Sequence, residues 1–201
     1  MPEPRLLGRA MMRADDETVS VRLAGDSERP SIERLSQFYI YDFSEMEPLG
    51  SNDMEFGEQG GYSPLPDIDS YWRSEGFRPL LIRVMEQLAG FALINTRSRC
   101  SGRVEHNMAE FFVARKHRRR GVATEAVSQV LARYPGHWEI AVAERNVAAK
   151  AFWPRAIGAA PNVSAGSRRR QALARADLEL SKRGYGYRIG RKPSCFMLRA
   201  E

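Results

Sequence analysis

The sequence predicts an α/β fold in which helices flank a mixed sheet built around one strand buried on both faces. Three observations predict it. Residues 108–114, MAEFFVA, are apolar almost without interruption, the pattern of a strand covered on both sides. After a basic turn, Gly121 opens a helical run in which Val122, Ala126, Val127, Val130, Leu131 and Tyr134 keep a 3.6-residue period until Pro135 and Gly136 stop it. Residues 138–142 then read as another strand, and Asn146 begins a helix through Ala149, Phe152, Trp153, Ala156 and Ile157, broken or kinked near Pro154.

The remaining elements follow in order. Residues 1–18 have no apolar stretch and read as a frayed tail, with Met11 or Met12 as other starting points. Residues 19–24 alternate as a strand, and Asp26, Ser27 and Pro30 introduce a helix with Ile32, Leu35, Tyr39, Phe43 and Met46 on one face. Residues 47–66 are rich in Gly, Pro, Ser, Asn and acids and read as a loop, followed by a short helix at 67–75. Two apolar runs, 78–84 and 88–96, joined at Met85, Glu86 and Gln87, form a hairpin, and 97–106 is a polar turn. Beyond 157 the pattern weakens: 158–167 is loop-like, Leu173, Ala176 and Leu180 suggest a helix ending at Gly184, and 195–199 reads as a last strand. One domain over 19–201 is expected, with 158–193 a basic segment of undefined fold.

Composition narrows the function. The chain has 201 residues, 43% hydrophobic and 28% charged, and no apolar run long enough to span a membrane. The N-terminus lacks the apolar core of a secretory signal. Cys100 and Cys195 are far apart with no CxxC partner, which argues for a reducing compartment, the cytoplasm by default, and against a disulfide framework. His106, His117 and His137 match no ligand spacing, so no metal is expected. No P-loop occurs, and Gly184, Gly186 and Gly190 miss the dinucleotide fingerprint.

Charge is segregated. Residues 1–157 are nearly balanced, whereas 158–201 carry ten Lys and Arg against three acids. That basic excess, concentrated over 168–192, is either a solvated surface or a docking patch for RNA or another polyanion. Residues 42–75 carry nine acids and one base, and aromatics crowd the overlapping window 38–77. Acid with aromatic attracts and stacks against a cation, so Tyr39, Tyr41, Asp42, Tyr71 and Trp72 are the candidates for binding a cationic acceptor. The alternative is an acidic loop anchored by its aromatics.

Chemistry is concentrated at the junction after the buried strand, Phe111-Phe112-Val113-Ala114-Arg115-Lys116-His117, then Arg118-x-x-Gly121-x-Ala123. A strand feeding a tight basic turn into a helix N-terminus makes an anion site from unpaired backbone N–H groups and the positive end of the helix dipole. Gly121 and Ala123 are small enough for a pyrophosphate to approach. At this point the chain resembles the GCN5-related N-acetyltransferase superfamily, whose acetyl-CoA motif [Q/R]-x-x-G-x-[G/A] is matched by Arg118, Gly121 and Ala123. Its next helix, opened by Asn with a small residue and an aromatic pair, is matched by Asn146, Ala149 and Phe152-Trp153. The resemblance spans about 19–157, with 195–199 as a last strand. It extends to uncharacterised relatives of that superfamily that share the YIYDFSE-like stretch at 39–45.

The resemblance implies a mixed, mostly antiparallel sheet with splayed central strands, and acetyl-CoA as cosubstrate. It also implies transfer of acetyl to a primary amine. Phe111, Phe112 and Val113 would present backbone to the pantetheine and thioester. Arg118, Arg119, Arg120, Gly121, Val122, Ala123 and Thr124 would hold the pyrophosphate. Asn146 would touch the pantetheine arm or tie down its helix. Relatives usually place an acidic Tyr where this chain has Trp153, whose indole N–H is a donor but no acid in this range. For a base, Glu139 stands first and Glu110 second, both on the strands flanking the thioester; a buried ion pair with an arginine is the other reading of each. With both cysteines outside the motifs, direct attack in a ternary complex is expected. The competing readings are transfer of a longer acyl chain and, from another class, a non-catalytic CoA-binding module whose basic tail docks RNA.

Overall fold

The computed structural model describes residues 18–48, 54–100, 103–170 and 194–201. Along the chain these form β1 (Val19–Leu23), α1 (Arg29–Ser44), a 3₁₀ turn (Ile68–Trp72), β2 (Arg78–Val84), β3 (Gln87–Arg97) and β4 (Arg103–Val113). Then follow α2 (Val122–Arg133), β5 (Gly136–Val142), α3 (Val147–Ala159), β6 (Val163–Arg170) and β7 (Ser194–Ala200). The seven strands make one sheet in the order β1-β2-β3-β4-β5-β7-β6. Every neighbouring pair is antiparallel except β4 and β5, which run parallel. No described helix is long and apolar enough to cross a membrane.

The stripes expected of α2 and α3 are turned into the core, whereas α1 ends at Ser44 before Met46 and buries Ile40, which was not in its expected stripe. Ile32, Tyr39 and Ile40 of α1 pack on Leu81, Phe91, Leu93 and Phe112 on one face of the sheet. Val127, Val130 and Leu131 of α2 and Trp153, Ala156 and Ile157 of α3 pack on Leu80, Ala92, Ile94, Met108, Trp138 and Ile140 on the other. Helices on both faces are why β4 reads as a continuous apolar run.

Several expectations are corrected. β4 starts at Arg103, inside the anticipated polar turn, because its first half carries buried polar residues such as Asn107. β6 occupies ground expected as loop: its main chain pairs with β7 from Val163↔Ala200 to Arg170↔Ser194, so tertiary pairing makes a strand where the side-chain pattern suggests none. α3 runs unbroken through Pro154, whose missing N–H removes only the bond to the Lys150 carbonyl. Cys100 and Cys195 are not separate thiols: they form a disulfide with 6.4 Å between Cα atoms. Sequence separation was a poor guide because β7 folds back beside β5, placing Cys195 opposite Ala141. The tail before residue 18 and the helix expected to end at Gly184 lie outside the described residues, as does most of the basic segment.

Two irregularities of β4 set the geometry around it. Its register against β3 steps from Leu93↔Glu110 to Ile94↔Met108, leaving Ala109 as a bulge. The extra residue inverts side-chain parity, so Met108 and Phe111 face α2 and α3 while Glu110 and Phe112 face α1. At its other end, β4 presses on Gly90 of β3, where an added Cβ would lie 2.0 Å from the Phe112 carbonyl oxygen. Gly90→Ala is therefore expected to lower unfolding free energy by about 1–3 kcal/mol, read from the denaturant midpoint. A change below about 0.5 kcal/mol would contradict this close approach.

Candidate active site

β4 and β5 diverge. Only His106↔Trp138 and Asn107↔Glu139 are paired, and from Met108 onward the edge of β4 toward β5 has no strand partner among the described residues. Backbone polar groups along such a fork need another partner, which a bound ligand can be. Phe111 lines the α3 side of the fork, stacked on Phe152 at 6.1 Å and edge-on to Trp153 at 5.4 Å. Phe112 faces the opposite way into the α1 core, and the Val113 carbonyl accepts from Arg118 Nε at 2.7 Å. Thus of these three residues Phe111 walls the fork, Phe112 belongs to the core on the other face, and the Val113 carbonyl is taken by Arg118.

Beyond β4 a single 3₁₀ turn, Arg115–His117, leads to Gly121, the residue before α2. Arg119 (φ 58°) and Gly121 (φ 82°) are both left-handed, a backbone path that turns consecutive N–H groups toward one side. An added Cβ on Gly121 would meet no atom within 4 Å, so the space before α2 is open. The N–H groups of the first helical turn, Val122, Ala123 and Thr124, have no intrahelical acceptor. Val122 is buried by side chain, so only its main chain can serve a ligand. The turn fits an anion such as a pyrophosphate. Arg119 and Arg120 are exposed beside it, whereas Arg118 is a builder of the turn, fixed to the Val113 carbonyl and to Asp42. Asn146 caps α3, its Oδ1 accepting from Ala149 N–H at 2.9 Å, the helix-tying option of the two expected.

On the α1 side the expected acceptor residues separate. Asp42, read as a lure for a cation, instead pairs with Arg115 and Arg118 and anchors the turn before α2 to α1. Neighbouring acids are spent likewise: Glu47 on Arg145, Asp67 on Arg97 and Asp69 on Arg29. Tyr41 points to solvent, 54% exposed. Trp72 is half-buried against the α1 core beneath the Arg29 guanidinium, its indole N–H without an acceptor among the described residues. Tyr39 and Tyr71 are buried and belong to one polar group.

That group centres on Glu110. Tyr39 O–H donates to its carboxylate. Burial raises the Glu110 pKa above the ordinary carboxylate value, opposed by the Arg99 charge and by the Tyr39 hydrogen bond. Burial, then the nearby Glu110 charge, pushes the Tyr71 hydroxyl up as well. Tyr71 Oη accepts from Asn95 Nδ2 at 3.0 Å, and Asn95 Oδ1 accepts from Asn107 Nδ2 at 3.0 Å. Asn95, Asn107 and Arg99 were not foreseen; the signal available was one amide, Asn95, inside the apolar run 88–96.

Glu139, the first choice of base, is fully buried and already engaged. Its carboxylate accepts from Ser98 Oγ at 2.7 Å, from Arg99 N–H and from Cys100 N–H at 3.1 Å. It fastens the β3–β4 connection to β5, a contact between segments 40 residues apart that no local pattern announces. A 580 Å³ hollow lined by Glu105, His137 and Arg199 opens at the opposite end of β5, away from the fork.

Comparison with known proteins accords with this geometry. The Acetyltransferase (GNAT) family model matches residues 43–159, more than half of the chain. A GNAT-family acetyltransferase structure from Streptococcus agalactiae aligns with a TM-score of 0.57 at 11% identity, covering 91% of this chain and 96% of that one. An acetyltransferase from Thermus thermophilus aligns at 0.53 and 12% identity, covering 90% and 96%. The yncA protein of Salmonella typhimurium, solved with its cofactor acetyl-CoA, aligns at 0.50 and 11% identity, covering 90% and 93%. No curated protein sequence matches the chain. The sheet that forks between β4 and β5, the glycine turn before α2 and the family match together place this chain in the GNAT acetyltransferase family.

Proposed function

We propose that the protein is an N-acetyltransferase that moves acetyl from acetyl-CoA to a primary amine by direct attack. The observation carrying this is Glu110, a half-buried carboxyl with a raised pKa held by Tyr39, one residue past the bulge where β4 leaves β5. Glu110 replaces Glu139 as the base of this reading, because the Glu139 carboxylate is occupied by the 98–100 segment.

Acetyl-CoA supplies an activated thioester. The N–H groups of residues 119–124 would hold its pyrophosphate, and the unpaired β4 backbone near Phe111 its pantetheine arm. Glu110, ionised and oriented by Tyr39, takes the proton of the incoming ammonium so that the amine lone pair is free to attack. Main-chain N–H groups along β4 stabilise the negative charge that grows on the thioester oxygen. Trp153 offers no proton to the departing sulfur, but a thiol of ordinary pKa, about 8.5, leaves as thiolate and is protonated by water. Direct attack is favoured over an acyl-enzyme because Cys100 and Cys195 are bonded to one another.

The test is thiol release from acetyl-CoA with a panel of primary amines, with product mass confirming the added acetyl. Release that depends on both components is the expected result. Acetyl-CoA binding without turnover of any amine would favour the non-catalytic module, the reading that Trp153 in place of an acid supports. Absence of binding would overturn both.

A further inference from the structure

The acceptor side of the fork carries a cation as well as a carboxyl. Arg99 lies in the β3–β4 connection, and its segment is held twice. Its own N–H and its neighbours' Ser98 Oγ and Cys100 N–H bind Glu139, and Cys100 is bonded to Cys195 of β7. The half-buried Arg99 side chain is within electrostatic reach of both Glu110 and the Tyr71 hydroxyl. Among the described residues its guanidinium has no ion pair and no hydrogen bond.

Its neighbours differ. Arg97, Arg115, Arg118 and Arg145 are each paired with an acid of the 42–67 stretch. Four of the nine acids that composition offered to a cationic substrate, Asp42, Glu47, Asp67 and Asp69, are thus paired with the chain's own arginines, and the polar wall keeps a guanidinium to spare. A second polar atom on this wall is unused: Asn107 Oδ1 is buried without a partner, although its Nδ2 is bound to Asn95. A guanidinium without an ion pair among the described residues, on a firmly anchored segment, in electrostatic reach of a carboxyl and on a wall with an unfilled carbonyl acceptor, complements a ligand that is anionic at one end and an N–H donor at the other.

We propose that the acceptor is a small zwitterion, an amine with a carboxylate on the adjacent carbon. Its nitrogen sits at Glu110 and its carboxylate is taken by Arg99. This rests on the reading of Glu110 as base. Glu139 and the disulfide are then positioning elements that hold the segment carrying Arg99.

The test compares kcat/KM for the common free amino acids with that for their carboxamides, which keep the amine and lose the anion, and with spermidine. Below both amine pKa values the carboxamide, the less basic of each pair, has the larger unprotonated fraction, so the supply of free amine does not favour the acid. A charge-assisted contact of this kind corresponds to an acid-over-amide ratio of about ten- to a hundredfold, carried mainly in KM. In Arg99→Gln that ratio should fall toward one, Arg99→Lys should recover part of it, and the remote Arg155→Gln should keep it. Melting profiles exclude misfolding of the variants. A ratio at or below one, or spermidine as the best acceptor, would overturn the zwitterion and leave the acetyltransferase reading standing. A ratio untouched in Arg99→Gln would overturn the role of Arg99. Failure to acetylate any amine would overturn both readings together.

Discussion

Glu110→Gln is expected to lower kcat/KM by about 10²- to 10⁴-fold while leaving acetyl-CoA binding and the fold in place. Glutamine keeps the length of the side chain and an oxygen to accept the Tyr39 hydroxyl, so the change removes the proton acceptor and little else. The wild-type pH profile makes the prediction sharper. Burial lifts the Glu110 pKa above 4.5, partly opposed by Arg99 and Tyr39, with the Tyr71 hydroxyl the other group facing it. Activity should therefore rise with pH through a limb displaced above the ordinary carboxylate range, and that limb should be missing in the variant.

Stability should move the other way. A carboxyl that binds its proton more tightly when folded costs stability as pH rises from the unfolded value through the folded one. At neutral pH Glu110→Gln removes that cost, and its denaturant midpoint should equal or exceed the wild-type value. A variant retaining more than a third of wild-type kcat/KM would exclude Glu110 as the base.

The parts of the site that could be read in advance are those set by local backbone chemistry. A continuous apolar strand, a glycine in the left-handed region at a helix start, and an asparagine that caps its own helix each leave a signature within a few residues. Where Glu110 points was hidden, because it depends on the bulge at Ala109. One extra residue turns Glu110 toward Tyr39, and nothing in MAEFFVA reports it. Asp42 shows the same limit in electrostatic form. Its acidity was evident, but its partners Arg115 and Arg118 lie more than seventy positions away and are met only after α1 docks on the sheet. β6 and the Cys100–Cys195 bond are also products of long-range pairing, both depending on where β7 enters the sheet.

The second large effect concerns acetyl-CoA itself. Gly121→Glu is expected to reduce its affinity by about a thousandfold, whereas Gly121→Ala should stay within about tenfold of wild type. At φ 82° either side chain strains the backbone, by roughly 1–2 kcal/mol. Yet among the described residues no atom lies within 4 Å of the added Cβ, so neither side chain is crowded by them. The two variants thus share the backbone penalty and differ in what projects into the open space before α2. A carboxylate there meets a phosphate at close range, and two like charges about 4 Å apart at an effective dielectric near 20 repel by about 4 kcal/mol, a factor near 10³. It also competes for the N–H groups that start the helix. Calorimetric titration with acetyl-CoA, beside the melting temperature of each variant, separates these terms. Equal losses in both variants would assign the effect to turn geometry, and undiminished binding in Gly121→Glu would remove the α2 N-terminus from the cofactor site.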